Sequence, residues 1–383
     1  MPCTTSDLAV AADPAATDRG VAAGSLATTG ELTAVDLFAG AGGSAQGLTD
    51  AGFRILAAIE NDVFAASTLS ANHANTIVVS EDIVSVCPRA FREQLKIGRS
   101  ELTLLTACPP CQGFSSLGSR DRDDARNDMI GQVWRFAKEF LPQAILVENV
   151  PSLGRDQRWS ELRADAVGHG YSFGSWTVNA TDFGVPQRRR RLIGIAVRRS
   201  GVAFPTFLTD VLPWSFVLKP PHASDVIARA GDVGASSDPL HRARTPTRRV
   251  LERIRAIPAG GSHVDLPEDL QLDCHKRLRN AGRTAAAGPY GRIPATGPAP
   301  TMTTRCTTPS CGRFLHPTED RAISLREAAL LQTFPPDYQF CGTHDAAERQ
   351  IGNAVPVRLA HALGLAVRQM LAVSQEVEQH ERT

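Results

Sequence analysis

Four short segments carry residue types that could make and break bonds. The first is Cys108-Pro109-Pro110-Cys111-Gln112-Gly113-Phe114-Ser115, directly after the apolar run 101–107. Its C-x-x-C spacing admits a redox pair or half of a zinc site, with Cys306 and Cys311 as the other half. The wider spacing of that second pair and the lack of a nearby histidine pair speak against zinc. Two prolines ahead of Cys111 stiffen the turn and aim one thiol outward, which suits a nucleophile better than a buried cysteine. The second segment is Glu148-Asn149-Val150-Pro151, ending the run AILV. A carboxyl group there has little water around it, so it could act as a general acid near neutrality, or it could pair with a core arginine.

The third segment, Pro186-Gln187 followed by Arg188 to Arg191, leads into LIGIAV. Four adjacent arginines often form a solvated loop. At the start of a strand, however, alternate residues share a face, so Arg189 and Arg191 can reach one site as anion or carbonyl clamps. The fourth is the glycine-rich turn 36–43, DLFAGAGG, between a strand and a helix, where a backbone can approach a ligand closely. Glu60 and Asp82 end the next two strands. Either acid alone reads as a helix N-cap. All three features at successive strand ends point to an adenosine-containing cofactor. Without a G-x-G-x-x-G spacing or a P-loop lysine, NAD and ATP fit less well.

These segments need a scaffold that brings strand ends together. The runs TAVDLF, FRILAAI, NTIVV, ELTLLTA and QAILVEN alternate with the helix-like stretches SAQGLTDAG, VFAASTLSANH, NDMIGQVWRFAKEFL and WSELRADAVGHG. That alternation predicts an α/β, Rossmann-like domain with a mostly parallel sheet covered on both faces. YSFGSWTVNA and RRLIGIAVR have no helix between them and are expected to close the sheet as a hairpin. After Arg199 the texture changes to scattered Pro, Gly and Arg, which predicts a smaller irregular domain. Helices return at SLREAALLQTF and, with Pro356 near its first turn, at VPVRLAHALGLAVRQMLAVSQEVEQ. The expected division is a disordered leader over 1–31, a catalytic domain over 32–200, an irregular domain over 201–318, and an interface helix and returning segment over 319–383.

Charge is segregated along this division. The formal net charge is +1, from 41 Lys+Arg and 40 Asp+Glu, yet residues 183–300 hold 19 basic and 9 acidic residues, +10, which leaves −9 elsewhere. Near-neutrality therefore does not exclude a polyanionic partner. The start has neither a basic n-region nor an apolar h-region, and no long apolar window exists, so neither secretion nor a membrane is expected. Eight cysteines are too few for a disulfide scaffold of this length and suit a reducing compartment.

Taken in order, DLFAGAGG, the acid of AAIEND, EDI, PPCQGFS, ENVP, PQRRRR, RAISLREAALLQTFPPDY and RQIGNAVP resemble the C5-cytosine DNA methyltransferase family, in its bacterial form. The resemblance runs from about residue 32 to 371. It implies transfer of a methyl group from S-adenosylmethionine to C5 of a cytosine flipped out of double-stranded DNA. It also implies catalytic roles for Cys111, which adds to C6, for Glu148, which holds the ring's N3 and amino edge, and for Arg189 and Arg191. A free thiol, with a pKa of about 8.5, needs a positive neighbour such as Arg191 or proton loss coupled to attack. The cofactor would meet Phe38, Gly40, Gly42, Glu60, Asp82, Ile83, Pro110, Met129 and Asn353. Gln112, Ser115, Asn149, Gln187 and Arg305 would meet DNA, with 201–318 as the target recognition domain.

The family's placement also implies a monomer in the bacterial cytoplasm, associated with the nucleoid, and a separate cognate restriction endonuclease. Arg326 and Glu327 are expected to form a structural pair. The chain departs from the family pattern at Asn61 and Asp128. Rival readings are the same chemistry on tRNA, a catalytically dead DNA- and cofactor-binding regulator, and an amino-group methyltransferase, whose motif would need no thiol.

Overall fold

The computed structural model describes residues 30–110, 128–199, 201–213, 219–273, 276–277 and 288–381. Among them, the apolar runs form one seven-stranded sheet in the order β3-β2-β1-β4-β5-β7-β6. β1 (Thr33–Leu37), β2 (Arg54–Ile59), β3 (Ile77–Val79), β4 (Leu104–Ala107) and β5 (Ala144–Asn149) run parallel. β6 (Ser172–Asn179) and β7 (Arg190–Val197) are the expected hairpin, joined through a 3-10 turn over Ala180–Phe183. β7 is inserted antiparallel beside β5, with Glu148 opposite Ile193 and Asn149 opposite Leu192.

Strand alternation sorts side chains onto two faces. Ala34, Ile55, Leu104 and Leu146 pack with α1 (Gly43–Asp50) and α10 (Val357–Glu381) on one face. Val35, Leu37, Leu105 and Val147 pack on the other, against α3 (Pro88–Gln94), α4 (Ile130–Phe140) and α5 (Gln157–Gly168). Helix α2 (Val63–Asn72) begins on Asp62, whose carboxylate accepts from the N–H groups of Phe64 and Ala65. Helix α3 is not anticipated from the sequence. Its seven residues are short for a periodic signal, although Pro88 near its start and fully buried Phe91 mark it in hindsight.

The remaining chain contains α6 (Ala223–Ala228), α7 (Arg248–Ala256), α8 (Leu325–Leu331) and α9 (His344–Asn353), connected by loops. One buried cluster joins Ala223, Val226, Ile293 and Met302 to Leu325, Ala329, Phe334 and Ile351, so packing continues across the expected division at 318. A small second cluster gathers Ile254, Ile257, Leu266, Tyr290 and Leu315.

Two expectations for charged residues change here. Arg326 and Glu327 do not pair with each other, because neighbours on a helix point to different sides. Glu327 closes a capping box with Ser324 and takes a two-pronged ion pair from Arg321 at 2.7 and 2.8 Å. Arg326 reaches Asp238 at 2.5 Å and the Tyr338 carbonyl at 3.0 Å. Arg292, in the basic segment expected to face DNA, is buried and donates to the carbonyls of Ile254 and Ile257 at the end of α7, and to Asp320.

The contact of α1 with α10 uses glycine for close approach. A Cβ at Gly47 would collide with the Val357 carbonyl oxygen and meet the Ala360 methyl at 2.6 Å. Gly47→Val should therefore cost about 1–3 kcal/mol of stability through overpacking, read as a lower thermal midpoint. An unchanged midpoint would show that the two helices part freely.

Candidate active site

The order of the sheet reverses between β1 and β4, and loops at such a switch point frame a crevice. After β1 the backbone takes positive φ at Phe38, Gly40 and Gly42 (59°, 56° and 86°), with Gly42 as the N-cap of α1. A Cβ on Gly42 would lie 2.6 Å from the Tyr338 hydroxyl, which donates to the Ala41 carbonyl at 2.7 Å. Glu60 pins the same turn. One carboxylate oxygen accepts from the Gly40 N–H and the other from the Asp62 N–H, both at 2.8 Å. Capping of α2 falls to Asp62, so Glu60 is not a helix N-cap. Burial pushes its carboxyl pKa up in spite of these donors. Asp82 is exposed and accepts from the Val84 N–H, while Ile83 beside it is buried.

Asp36 was not singled out as a site residue on sequence grounds. It has no exposure, and neither carboxylate oxygen has a hydrogen-bond partner among the described residues. Burial, and then the neighbouring charge of Glu60, push its pKa well above the usual carboxylate range. A buried acid behind a glycine turn, without a partner among the described residues, is a polar group suited to an external partner.

At the other side of the crevice, β4 leads into Cys108-Pro109-Pro110. The Cys108 N–H donates to the Leu37 carbonyl, tying this loop to the glycine turn. Burial pushes the Cys108 thiol well above its usual value, the charges of Glu148 and Asp36 add to this, and Arg191 and Arg189 oppose it. This direction disfavours the thiolate at Cys108 and so a nucleophilic role for it. Cys111, Gln112 and Ser115 lie outside the described residues.

Glu148 sits at the end of β5 with Arg191 Nε 2.6 Å from its Oε1, and both side chains are nearly buried. Arg191 also donates to the Arg190 carbonyl at 2.7 Å. Arg189 lies two residues earlier on the same face and is fully buried. Its Nη1 donates to the carbonyls of Met302 (3.2 Å) and Gly352 (3.4 Å), and its Nε has no partner among the described residues. Burial and the like charge of Arg191 pull its pKa down to about 9. Arg188 and Arg190 point outward. Thus Cys108, Glu148, Arg189 and Arg191 converge, while Met129 and Pro110 are half-buried nearby in sequence and Asn353 is exposed at the end of α9.

A family model for C-5 cytosine-specific DNA methylase matches residues 32–369. The chain belongs to that family. The methylase is 32% identical over 355 residues to the type II methylase M.HgiDII of Herpetosiphon aurantiacus, covering 88% of this chain and 95% of that one. It is 34% identical over 355 residues to the type II methyltransferase M.PspPI of a Psychrobacter species, covering 88% and 79%. Its fold matches a DNA modification methyltransferase encoded within an E. coli prophage, with a TM-score of 0.69 at 23% identity over 89% of this chain and 99% of that one. The methylase is an enzyme, a DNA (cytosine-5-)-methyltransferase, and uses a methyl donor. No helix among its described residues is long and apolar enough to cross a membrane.

Two residues expected to touch DNA have other work in this methylase. Gln187 has no exposure. Its amide N–H donates to Gln332 Oε1 at 2.8 Å, and its oxygen accepts from the Met302 N–H at 2.8 Å. Gln332, not singled out from the sequence, passes the connection on to the carbonyls of Ile351 and Ala354. Asn149 is buried too, donating to the Pro109 carbonyl at 3.0 Å and accepting from the Val150 N–H. Both are braces that place β7 and the Cys108 loop. Arg305 is exposed, as a contact residue must be. The departure at Asp128 is an ion pair with Arg158 at 2.8 Å, and Asn61 is exposed.

Asp36 sets a pH dependence. Its raised folded pKa favours folding fully below the unfolded carboxyl range near pH 4, and this contribution is lost as pH rises through the folded value. Asp36→Asn should therefore raise the thermal midpoint of the ligand-free methylase at about pH 8, with an advantage that shrinks as pH falls toward about 4. A variant that melts lower than wild type at the higher pH would reveal a stabilising partner for the ionised acid.

Proposed function

We propose that the methylase transfers a methyl group from S-adenosylmethionine to C5 of a cytosine extruded from duplex DNA, through a temporary bond between Cys111 and C6. The observation that carries this reading is the Glu148–Arg191 ion pair, 2.6 Å long, at the sheet's carboxyl edge. A carboxyl group aligned by arginine can hold the N3 and amino edge of a pyrimidine, which is accessible only once the base has left the stack.

The cofactor's fit rests on groups already described. Asp36 offers two carboxylate oxygens without a partner among the described residues, Glu60 keeps spare lone pairs beyond the N–H groups it accepts, and the turn at Gly40 leaves open the space that a side chain would fill. With Phe38, Asp82, Ile83, Pro110, Met129 and Asn353, these residues would hold S-adenosylmethionine. When bound, it supplies a methyl group on a sulfonium, ready for displacement.

Cytosine C5 is too poor a nucleophile to attack that methyl unaided. The Cys111 sulfur adds to C6, the C5–C6 π electrons move into the ring, and N3 takes a proton held by Glu148. Arg191 keeps Glu148 in place, and buried Arg189 adds positive charge behind the electron-rich adduct. C5 then accepts the methyl group. N3 returns its proton to Glu148, and loss of the C5 proton to solvent restores the C5–C6 double bond as the sulfur departs from C6 and frees Cys111.

The basic surplus in 183–300 supports DNA contacts from the 201–318 segment, with exposed Arg305 at its edge and Gln112 and Ser115 in the loop after the nucleophile. The type II methylases and methyltransferases among its relatives support a role beside a separate cognate endonuclease. We place the enzyme as a monomer in the bacterial cytoplasm, at the nucleoid.

Duplex DNA substituted with 5-fluorocytosine tests the chemistry, because fluorine at C5 cannot leave as a proton does and the adduct accumulates. Wild type should form a denaturation-resistant protein–DNA species, Cys111→Ser none, and Glu148→Gln should form it about 10²–10⁴-fold more slowly. An undiminished adduct in Cys111→Ser would overturn the assignment of the nucleophile. Methyl transfer to tRNA in place of DNA would overturn the substrate.

A further inference from the structure

The start of β7 faces two ways. Arg191 turns to Glu148, whereas Arg190 shares the opposite face with Leu192. On that face a groove of about 530 Å3 opens between β6, β7 and the 3-10 turn over Pro151–Arg155 that follows β5. Ser152, Arg155, Ser175, Thr177 and Arg190 supply its polar lining, and Leu192 contributes to its floor. The register explains the grouping: Thr177 stands opposite Leu192 and Ser175 opposite Gly194, so both hydroxyls project on the side of Arg190.

The charge of this groove is uncompensated. Arg155 and Arg190 are exposed, and neither guanidinium has an acidic partner among the described residues. Asp156 also lines the groove, but its Oδ1 caps α5 through the Arg158 N–H at 3.1 Å and lies 3.3 Å from Arg158 Nη1. By contrast, nearby Arg158 is matched by both Asp156 and Asp128. Two guanidinium groups without an acidic partner among the described residues, with the Ser175 and Thr177 hydroxyls beside them, present forked donors in the recognition pattern of a phosphate.

We propose that this groove holds backbone phosphates of the DNA strand carrying the target cytosine, with Arg155 and Arg190 as the two cationic contacts. This rests on the reading that Glu148 holds the extruded base. Arg190 and Arg191 are adjacent in the chain but point to opposite faces, so the run of arginines supplies the Glu148 site on one side and the groove on the other. The groove lies at the β6 edge of the sheet, away from the strand ends of β1, β2 and β3 that form the cofactor side. It holds the strand from the face opposite the Glu148–Arg191 pair, so that extrusion happens against a fixed backbone.

The test uses the full chain, a duplex DNA fragment that wild type methylates, and equilibrium binding measured across a salt series. Each phosphate contact contributes about 0.9 to the slope of log affinity against log salt. The Arg155→Gln/Arg190→Gln double variant should show a slope shallower by about 1.8 and weaker binding at low salt. Arg190→Lys, which keeps the charge, should retain the wild-type slope, and Ser175→Glu, which puts an acid into the groove, should weaken binding. An unchanged slope in the double variant, or undiminished binding in Ser175→Glu, would overturn the proposal. Trapping on 5-fluorocytosine DNA is run alongside. Adduct formation with an unchanged slope sinks the groove alone. Lack of adduct in a wild type whose slope depends on both arginines sinks the covalent reading alone. A wild type that does not bind the duplex overturns both.

Discussion

A carboxylate withdrawn from water at the end of a buried strand needs a cation beside it, and the architecture of this methylase provides one for Glu148. The provision depends on β7 running antiparallel to β5. A further parallel strand would bring its carboxyl end to the crevice, with its first residues at the far edge. Reversal brings the beginning of β7 to the end of β5, where Arg191 meets Glu148, Arg189 sits on the same side, and Gln187 continues inward. Strand alternation then distributes a run of four arginines between a buried site and an open surface.

That arrangement is anchored from outside the sheet. Arg189 holds the Met302 and Gly352 carbonyls, and Gln187 and Gln332 link Met302 to the turn after α9. Gly352 approaches so closely that a Cβ there would run into the Thr303 backbone. The segment around 300 and the end of α9 are thus bound to the residues leading into β7 through buried polar contacts. Such networks define geometry more sharply than apolar packing does, because a misaligned partner leaves a buried polar group unsatisfied.

Legibility in the sequence followed the range of the forces involved. Strands, hairpin and most helices were readable because hydrophobic alternation is local, and the motif order led to the family that the match over 32–369 establishes. Helix α3 escaped because seven residues carry barely two turns of periodicity. The outward and inward sorting of Arg188 to Arg191 was readable from period two alone. The roles of Gln187, Asn149 and Arg292 were not, since a polar side chain in a motif looks the same whether it faces a ligand or a backbone group distant in the sequence. Asp36 shows the converse case: its significance lies in having no partner among the described residues, which only a folded chain can display.

The hydroxyl of Tyr338 reaches the glycine turn across 297 positions of sequence, and α10 packs on α1. The crevice is therefore shaped at its opening by an early segment of the chain and braced by a much later one. During synthesis on a ribosome, the turn at Gly42 remains without its brace until residue 338 has emerged from the exit tunnel. A nascent chain that has already folded its first strands therefore has yet to acquire a braced glycine turn.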